Sequence, residues 1–255
     1  MRDTSGEKRA LTRRDVLKGA ATGAVAAAAA GVAAPDEAKS IEPGIPDPLP
    51  TYGMVIDTRL CIGCHACSVA CKSEFDVPLG ETRSWVEYVE KGNYPNVSRS
   101  FLPRLCNHCR HPQCVDVCPT GATWKRDEDG IVVIDEGICI GCKYCMQACP
   151  YDARFLNPIN GIVEKCSFCI HRVSKGMVPA CVETCVGGAR VFGDITDPES
   201  EVFKLIEKNP TTVLRPEKGT EPNVFYIAAD HTDEHTKLRG RYVSVTTHRR
   251  QKERM

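Results

Sequence analysis

The chain has 255 residues, and its sixteen cysteines equal its 2 Trp, 7 Tyr and 7 Phe combined. Lys+Arg and Asp+Glu stand at 33 each, which gives neither the basic excess of a nucleic-acid binder nor the high net charge of a disordered chain. The length allows one or two domains, and so many thiols imply that an apolar core alone does not hold them together.

At the N-terminus, Thr12-Arg13-Arg14-Asp15-Val16-Leu17-Lys18 precedes an uncharged run of Ala, Gly and Val from Gly19 to Ala34. A basic region, an apolar region and small residues before Pro35 make a targeting segment. The run is too short and alanine-rich to span a membrane. The paired arginines resemble a twin-arginine export signal, so residues 1–34 are expected to be a signal peptide. The working place would be the periplasmic side of the bacterial inner membrane. Proline-rich residues 35–50 read as a linker.

The cysteines then fall into four quartets. Cys61, Cys64, Cys67 and Cys71 are spaced C-x2-C-x2-C-x3-C. Cys106, Cys109, Cys114 and Cys118 are spaced C-x2-C-x4-C-x3-C. Cys139, Cys142, Cys145 and Cys149 repeat the first pattern, and Cys166, Cys169, Cys181 and Cys185 widen it between the inner pair. The third quartet, with Pro150 after it, is the bacterial ferredoxin run, whose first three thiolates grip one cubane while the fourth serves another. Tetrahedral zinc has no use for a third cysteine two residues on. Disulfides, permitted outside the cytoplasm, do not explain four C-x2-C starts. Four [4Fe–4S] clusters are therefore expected.

Four quartets can pair in three ways. The second and third are 20 residues apart, and the segment 122–134 between them, with Asp127-Glu128-Asp129-Gly130 at its centre, reads as a β-hairpin. If these two form one module, the first and fourth form the other. Further on, Asp197 and Pro198 are expected to cap and start a helix running to Lys208, with Val202, Leu205 and Ile206 packed on the cluster lobes. Residues 231–255 read as a polar tail or as a strap across a partner. His65, His108, His111 and His171 are read as packed or solvated loop residues. Lys72, Arg104, Lys143, Lys165, Arg172 and Arg190 are candidates to offset cluster charge. No catalytic triad, phosphate loop or carboxylate pair stands out, so no residue is assigned a catalytic role.

Three stretches carry a family resemblance: Leu105-Cys106-Asn107-His108-Cys109, Cys149-Pro150-Tyr151-Asp152-Ala153-Arg154, and Pro179 to Arg190. They resemble the four-cluster iron–sulfur subunit of the DMSO reductase family of molybdenum oxidoreductases. Within it, Met54-Val55-Ile56-Asp57 and Gly193 to Pro198 look most like the tetrathionate reductase branch, with polysulfide, thiosulfate and arsenate reductases close behind. The resemblance implies four ligand sets: Cys61, Cys64, Cys67 with Cys185; Cys166, Cys169, Cys181 with Cys71; Cys106, Cys109, Cys114 with Cys149; and Cys139, Cys142, Cys145 with Cys118. It implies an α+β fold of two interleaved ferredoxin-like lobes over 51–198, with 105–150 as the inner lobe and 51–104 plus 151–198 as the outer. Residues 199–255 are left as a C-terminal helix and tail. It also implies a molybdopterin-containing catalytic subunit and a polytopic quinol-interacting membrane anchor as partners. A free-standing polyferredoxin is the rival reading.

Overall fold

The computed structural model describes residues 49–229. The expected signal peptide, residues 35–48 of the linker and the basic tail lie outside the described residues. In chain order the elements are β1 (Tyr52–Asp57), α1 (Ala66–Glu74), β2 (Trp85–Asn93), β3 (Asn96–Arg104) and α2 (Gln113–Asp116). Then come β4 (Thr123–Lys125), β5 (Val132–Ile134), α3 (Tyr144–Ala148), β6 (Arg154–Leu156) and β7 (Val163–Lys165). The chain continues through α4 (Ile170–Val173), α5 (Ala180–Glu183), β8 (Arg190–Asp194), α6 (Glu201–Lys208), β9 (Thr211–Thr212) and β10 (Val224–Ile227). This is the expected mixture of short strands, short helices and loops.

A four-stranded sheet, ordered β8-β1-β10-β9, gathers distant parts of the chain. Met54 on β1 lies opposite Phe192 on antiparallel β8 and opposite Val224 on parallel β10. Alternation along the strands gives the sheet two apolar faces. Val55, Ile227 and Val191 pack with Val202, Leu205 and Ile206 of α6. Met54, Ile56, Val224 and Tyr226 pack with Leu105, Ile131 and Phe168, and with Cys67, Cys106, Cys166 and Cys181. Aliphatic core and sulfur ligands are thus one continuous mass.

The expected hairpin forms, with Thr123 opposite Ile134 and Lys125 opposite Val132. A second one, β6–β7, follows the third quartet in the same way. Helix α6 starts later than expected. Asp197 accepts a hydrogen bond from the Glu199 N–H at 2.8 Å and makes a local turn. Ser200 is the cap, taking the Phe203 N–H on its hydroxyl at 3.2 Å. Its apolar stripe packs on Val55, Val191 and Ile195, within residues 51–198 as expected, on the face of the sheet away from the cysteines.

The chain beyond 208 also differs from a simple helix and tail. Strands β9 and β10 extend the sheet, and the Tyr226 hydroxyl donates to the Pro103 carbonyl at 2.9 Å. Residues 220–223 pair along the second quartet's loop. Arg110 N–H donates to Glu221 O at 2.8 Å, and Asn223 N–H to Asn107 O at 2.9 Å. A four-residue strand after a Pro-Glu-Lys-Gly turn carries too little periodicity to be read from sequence.

Candidate metal centre

Each quartet is a curled loop running into a short helix. In Cys61-Ile62-Gly63-Cys64-His65, Gly63 and His65 take left-handed φ values of 71° and 59° before α1 begins. In Cys139-Ile140-Gly141-Cys142-Lys143, Gly141 and Lys143 repeat them at 66° and 67° before α3. A left-handed non-glycine residue costs about 1 kcal/mol or more, so the repetition of this strain marks a loop shaped for binding. Helix α1 packs on α5, and α2 packs on α3. Cys185 and Cys149 thereby reach the loops of other quartets.

Two cavities result. One is lined by Cys61, Cys64, Cys67 and Cys185, with Arg190, Val86 and Pro103. The other is lined by Cys106, Cys109, Cys114 and Cys149, with Arg154, Tyr151 and Thr220. Among the described residues, no three Cys, His, Asp or Glu side chains converge as on a single ion. All sixteen cysteines are unbridged. Four sulfur donors around an open cavity suit a multi-iron group.

Of the remaining eight cysteines, Cys71, Cys145, Cys166, Cys169 and Cys181 are buried. Cys166 feels Cys71, Cys181 and Cys169. Cys145 feels Cys118 as well as Cys114. Cys139 is half-buried and Cys142 exposed in the loop that leads to Cys145.

Burial, followed by repulsion from neighbouring sulfurs, pushes most of these thiols up. Cys71 rises to about 12 beside Cys181 and Cys169. Cys109 rises to about 12 beside Cys106, although the Thr220 hydroxyl opposes the shift. Cys169 rises to about 11. Cys118 goes the other way: burial raises it, but N–H groups of Thr123, Thr120 and Ala122 outweigh that and lower it. Dense thiolates repel one another until cations arrive, and metal binding then releases their protons.

Three buried cations stand among the sulfurs. Arg154 (1% exposed) donates from Nη2 to Cys114 Sγ at 2.9 Å and from Nη1 to Thr123 Oγ1 at 3.2 Å. Burial alone would lower its pKa, but Cys114, Cys106, Cys145 and Cys149 raise it. Arg190 (3%) donates from Nη2 to Ser84 Oγ at 3.0 Å. Burial opposes its charge, but Cys181, Cys67 and Cys166 hold it well charged. Its Nη1 is buried without a hydrogen-bond partner, and an anionic, sulfur-rich group in the cavity that Arg190 lines would face it. Lys165 (4%) donates from Nζ to Cys166 O at 2.7 Å and to Val132 O. Burial lowers its pKa, and Cys106 and Cys166 oppose this.

Of the six cations expected to offset cluster charge, Lys165 and Arg190 are buried among the sulfurs, and Arg172 acts on Cys169. Arg104 pairs with Glu87 at 2.9 Å, and Arg172 with Glu74 at 3.2 Å and with Glu183. Lys72 donates to the carbonyls of Pro78 and Glu81, and Lys143 is an exposed cap residue. Arg154 carried no such expectation, although a signal was present. Cys149 and Cys185 are each followed by x3-Ala-Arg, and Cys118 by x3-Ala-Thr. The alanines, Ala122, Ala153 and Ala189, are all buried where the next strand begins. Thr220 was missed because it lies far along the chain.

The four histidines among the described residues sit in or beside the quartet loops, and His65 lines the first cavity. His108 is fully buried, stacked on Phe168 at 3.8 Å, and accepts the Val132 N–H on Nδ1 at 3.1 Å. Burial holds it neutral, well below its ordinary value. His65 meets the Tyr88 hydroxyl at 2.8 Å, His111 faces Glu221 and His171 faces Glu74.

Comparison with known proteins agrees with this donor set. A 4Fe–4S dicluster domain matches residues 97–195, and another matches residues 60–123. The chain is 51% identical to a tetrathionate reductase subunit of Salmonella typhimurium, over 70% of this chain and 73% of that protein. It is 44% identical to a selenate reductase subunit of Mesobacillus selenatarsenatis, covering 68% and 70%. Against a sulfite dehydrogenase subunit of Allochromatium vinosum the identity is 39%, covering 71% and 85%. Two dicluster domains and sixteen cysteines hold four [4Fe–4S] clusters. The chain therefore belongs to the dicluster iron–sulfur subunits of the DMSO reductase family of molybdenum oxidoreductases, as an electron-transfer subunit and not a catalytic one.

Proposed function

We propose that the chain carries electrons between a quinol-linked polytopic membrane anchor and a molybdopterin catalytic subunit, in a complex like tetrathionate reductase. The ligand sets of this reading are Cys61, Cys64, Cys67, Cys185; Cys71, Cys166, Cys169, Cys181; Cys106, Cys109, Cys114, Cys149; and Cys118, Cys139, Cys142, Cys145. The observation that carries it is the lining of the two cavities, each by three cysteines of one quartet and the last cysteine of another. The packing of α1 on α5 and of α2 on α3 supports two interleaved lobes, 105–150 within 51–104 and 151–198. Identity with the Salmonella tetrathionate reductase protein supports the choice of branch.

When bound, each cluster supplies one-electron storage at a potential set by its surroundings. The chain's residues create those surroundings. Met54, Leu105, Ile131 and Phe168 keep water from the inner sulfurs. Loop N–H groups and the buried cations face the sulfur charge. Cys64 and Cys142 are the two exposed cysteines, and they fall in the first and last sets. This supports a path that meets partners at those two sets. Arg13-Arg14 and the uncharged run after them support twin-arginine export to the periplasmic side, with attachment through partners.

Isolation of the native complex tests the assignment. About sixteen irons per chain, with a co-purifying molybdenum protein, are expected. A monomer without molybdenum in the natural host contradicts it. Within such a complex, Cys149→Ser should alter the EPR signal of the set containing Cys106, Cys109 and Cys114. A change confined to the set containing Cys139, Cys142 and Cys145 would refute the crossed ligand sets.

A further inference from the structure

The three buried cations are distributed regularly among the cysteine sets. Arg190 lines the cavity of Cys61, Cys64, Cys67 and Cys185, and also faces Cys181 and Cys166 of the next set. Lys165 precedes Cys166 in the chain, bonds its carbonyl, and faces Cys106 and Cys114 of the third set. Arg154 lines the cavity of the third set, donates to Cys114, and faces Cys145 of the fourth. One cation therefore meets two successive sets at each of the three junctions.

Their charge is placed to act over distance. At 1–4% exposure, water and salt screen them weakly. Two other buried arginines are paired with carboxylates, Arg83 with Glu164 at 2.6 Å and Arg104 with Glu87 at 2.9 Å, although Arg83 still acts on Cys71. The acceptors of Arg190 and Lys165 include a serine hydroxyl and backbone carbonyls, which are neutral and leave each charge to act on the sulfurs around it. Position in the repeat accounts for the two arginines. Each stands five residues after the last cysteine of a quartet, at the first residue of the following strand. Lys165 ends the β7 strand that leads into the fourth quartet.

We propose that Arg190, Lys165 and Arg154 are the positioning charges of the three junctions, each raising the reduction potential of both clusters that it separates. The step rests on the ligand sets proposed above. A cation shared by two neighbours favours an extra electron on either one and offsets the repulsion between them when both are reduced.

Potentiometric titration followed by EPR, on the full-length chain in its isolated complex, tests this with Arg190→Met, Lys165→Met and Arg154→Met. Each substitution should lower two of the four potentials, by about tenfold in the reduction equilibrium, or about 59 mV for one electron. The affected pairs should overlap in one pattern. Arg190→Met and Lys165→Met share one signal, Lys165→Met and Arg154→Met share another, and Arg190→Met and Arg154→Met share none. Arg190→Lys and Arg154→Lys keep the charge and should keep the potentials. Iron-replete Met variants with unchanged potentials, or with one or all four signals shifted, overturn the proposal. So does a Lys variant that behaves like the Met variant. If a Met variant loses iron, the two flanking clusters should go together; loss of one or of all four counts against it. Cys149→Ser, which moves no cation, reports on the ligand sets independently, so failure of the sets is distinguishable from failure of the junction charges.

Discussion

Gly187→Ala tests the geometry of the first set at a single atom. Gly187 lies two residues after Cys185, and a Cβ placed on it would stand 2.3 Å from the Leu60 carbonyl oxygen. Ordinary contact begins near 3.4 Å, so one of the two backbones must move by about 1 Å. Leu60 adjoins Cys61, and both cysteines line the same cavity. Either movement therefore displaces a ligand of one set and leaves the other three alone. Overpacking of this kind costs about 1–3 kcal/mol, and a site holds its geometry only to about 0.5 Å. The expected result is a loss of about a quarter of the bound iron, by colorimetric assay, with one EPR signal gone and three unchanged. Gly188→Ala is the control. Its φ is 63°, and a Cβ there meets nothing within 4 Å. It bears only the left-handed cost of about 1–2 kcal/mol and should retain all its iron. Full iron and four unchanged signals in Gly187→Ala would refute the reasoning.

Two further outcomes are expected. Cluster loading should tighten with pH, because it replaces protons on thiols pushed up to about 12 at Cys71 and Cys109 and about 11 at Cys169. The sign is fixed by the raised thiols. They stay protonated in the iron-free fold at neutral pH, so lowering the pH drives the reaction back. Chelator competition between about pH 6 and 9 measures this, and iron retention that declines as pH rises would contradict it. Replacing Arg13 and Arg14 with Lys should leave the chain in the cytoplasm; fractionation that finds it still in the periplasm rules out the twin-arginine route.

What the sequence disclosed was the part governed by local spacing. The quartets are short-range patterns, and each C-x2-C turn has one plausible shape, so the donor type could be read directly. The hairpin at 122–134 was legible for the same reason. Helix α6 was legible in extent and apolar stripe but not in its cap, because Asp197 and Ser200 both compete for backbone N–H groups and only the fold decides between them. The face of the sheet that the stripe covers was not legible either, since an amphipathic stripe specifies that a surface is covered but not which one. Strand β10 and Thr220 were out of reach. β10 pairs with β1 at the other end of the described chain and Thr220 bonds Tyr151, 69 residues away, and the four residues Val224–Ile227 carry no pattern that separates a strand from a buried loop. Arg154 was missed for a different reason. Its signal was the x3-Ala-Arg repeat after Cys149 and Cys185, which shows a shared position but not that the position is buried.

The buried cations also bear on how the fold is reached. Arg154, Lys165 and Arg190 are nearly fully enclosed, and enclosing a charge costs several kcal/mol unless an opposite charge meets it. In the iron-free chain the facing sulfurs are mostly protonated, because burial and mutual repulsion have raised them. The countercharge is therefore present only when the thiols are ligated, and the core that positions the ligands is completed by the same event. Loading and folding are accordingly one coupled process. A chain that must be loaded to fold must meet its iron supply before it leaves the compartment where iron is inserted. That requirement gives a physical reason for the proposed export route, which carries folded proteins, and places it under the same test as Arg13 and Arg14.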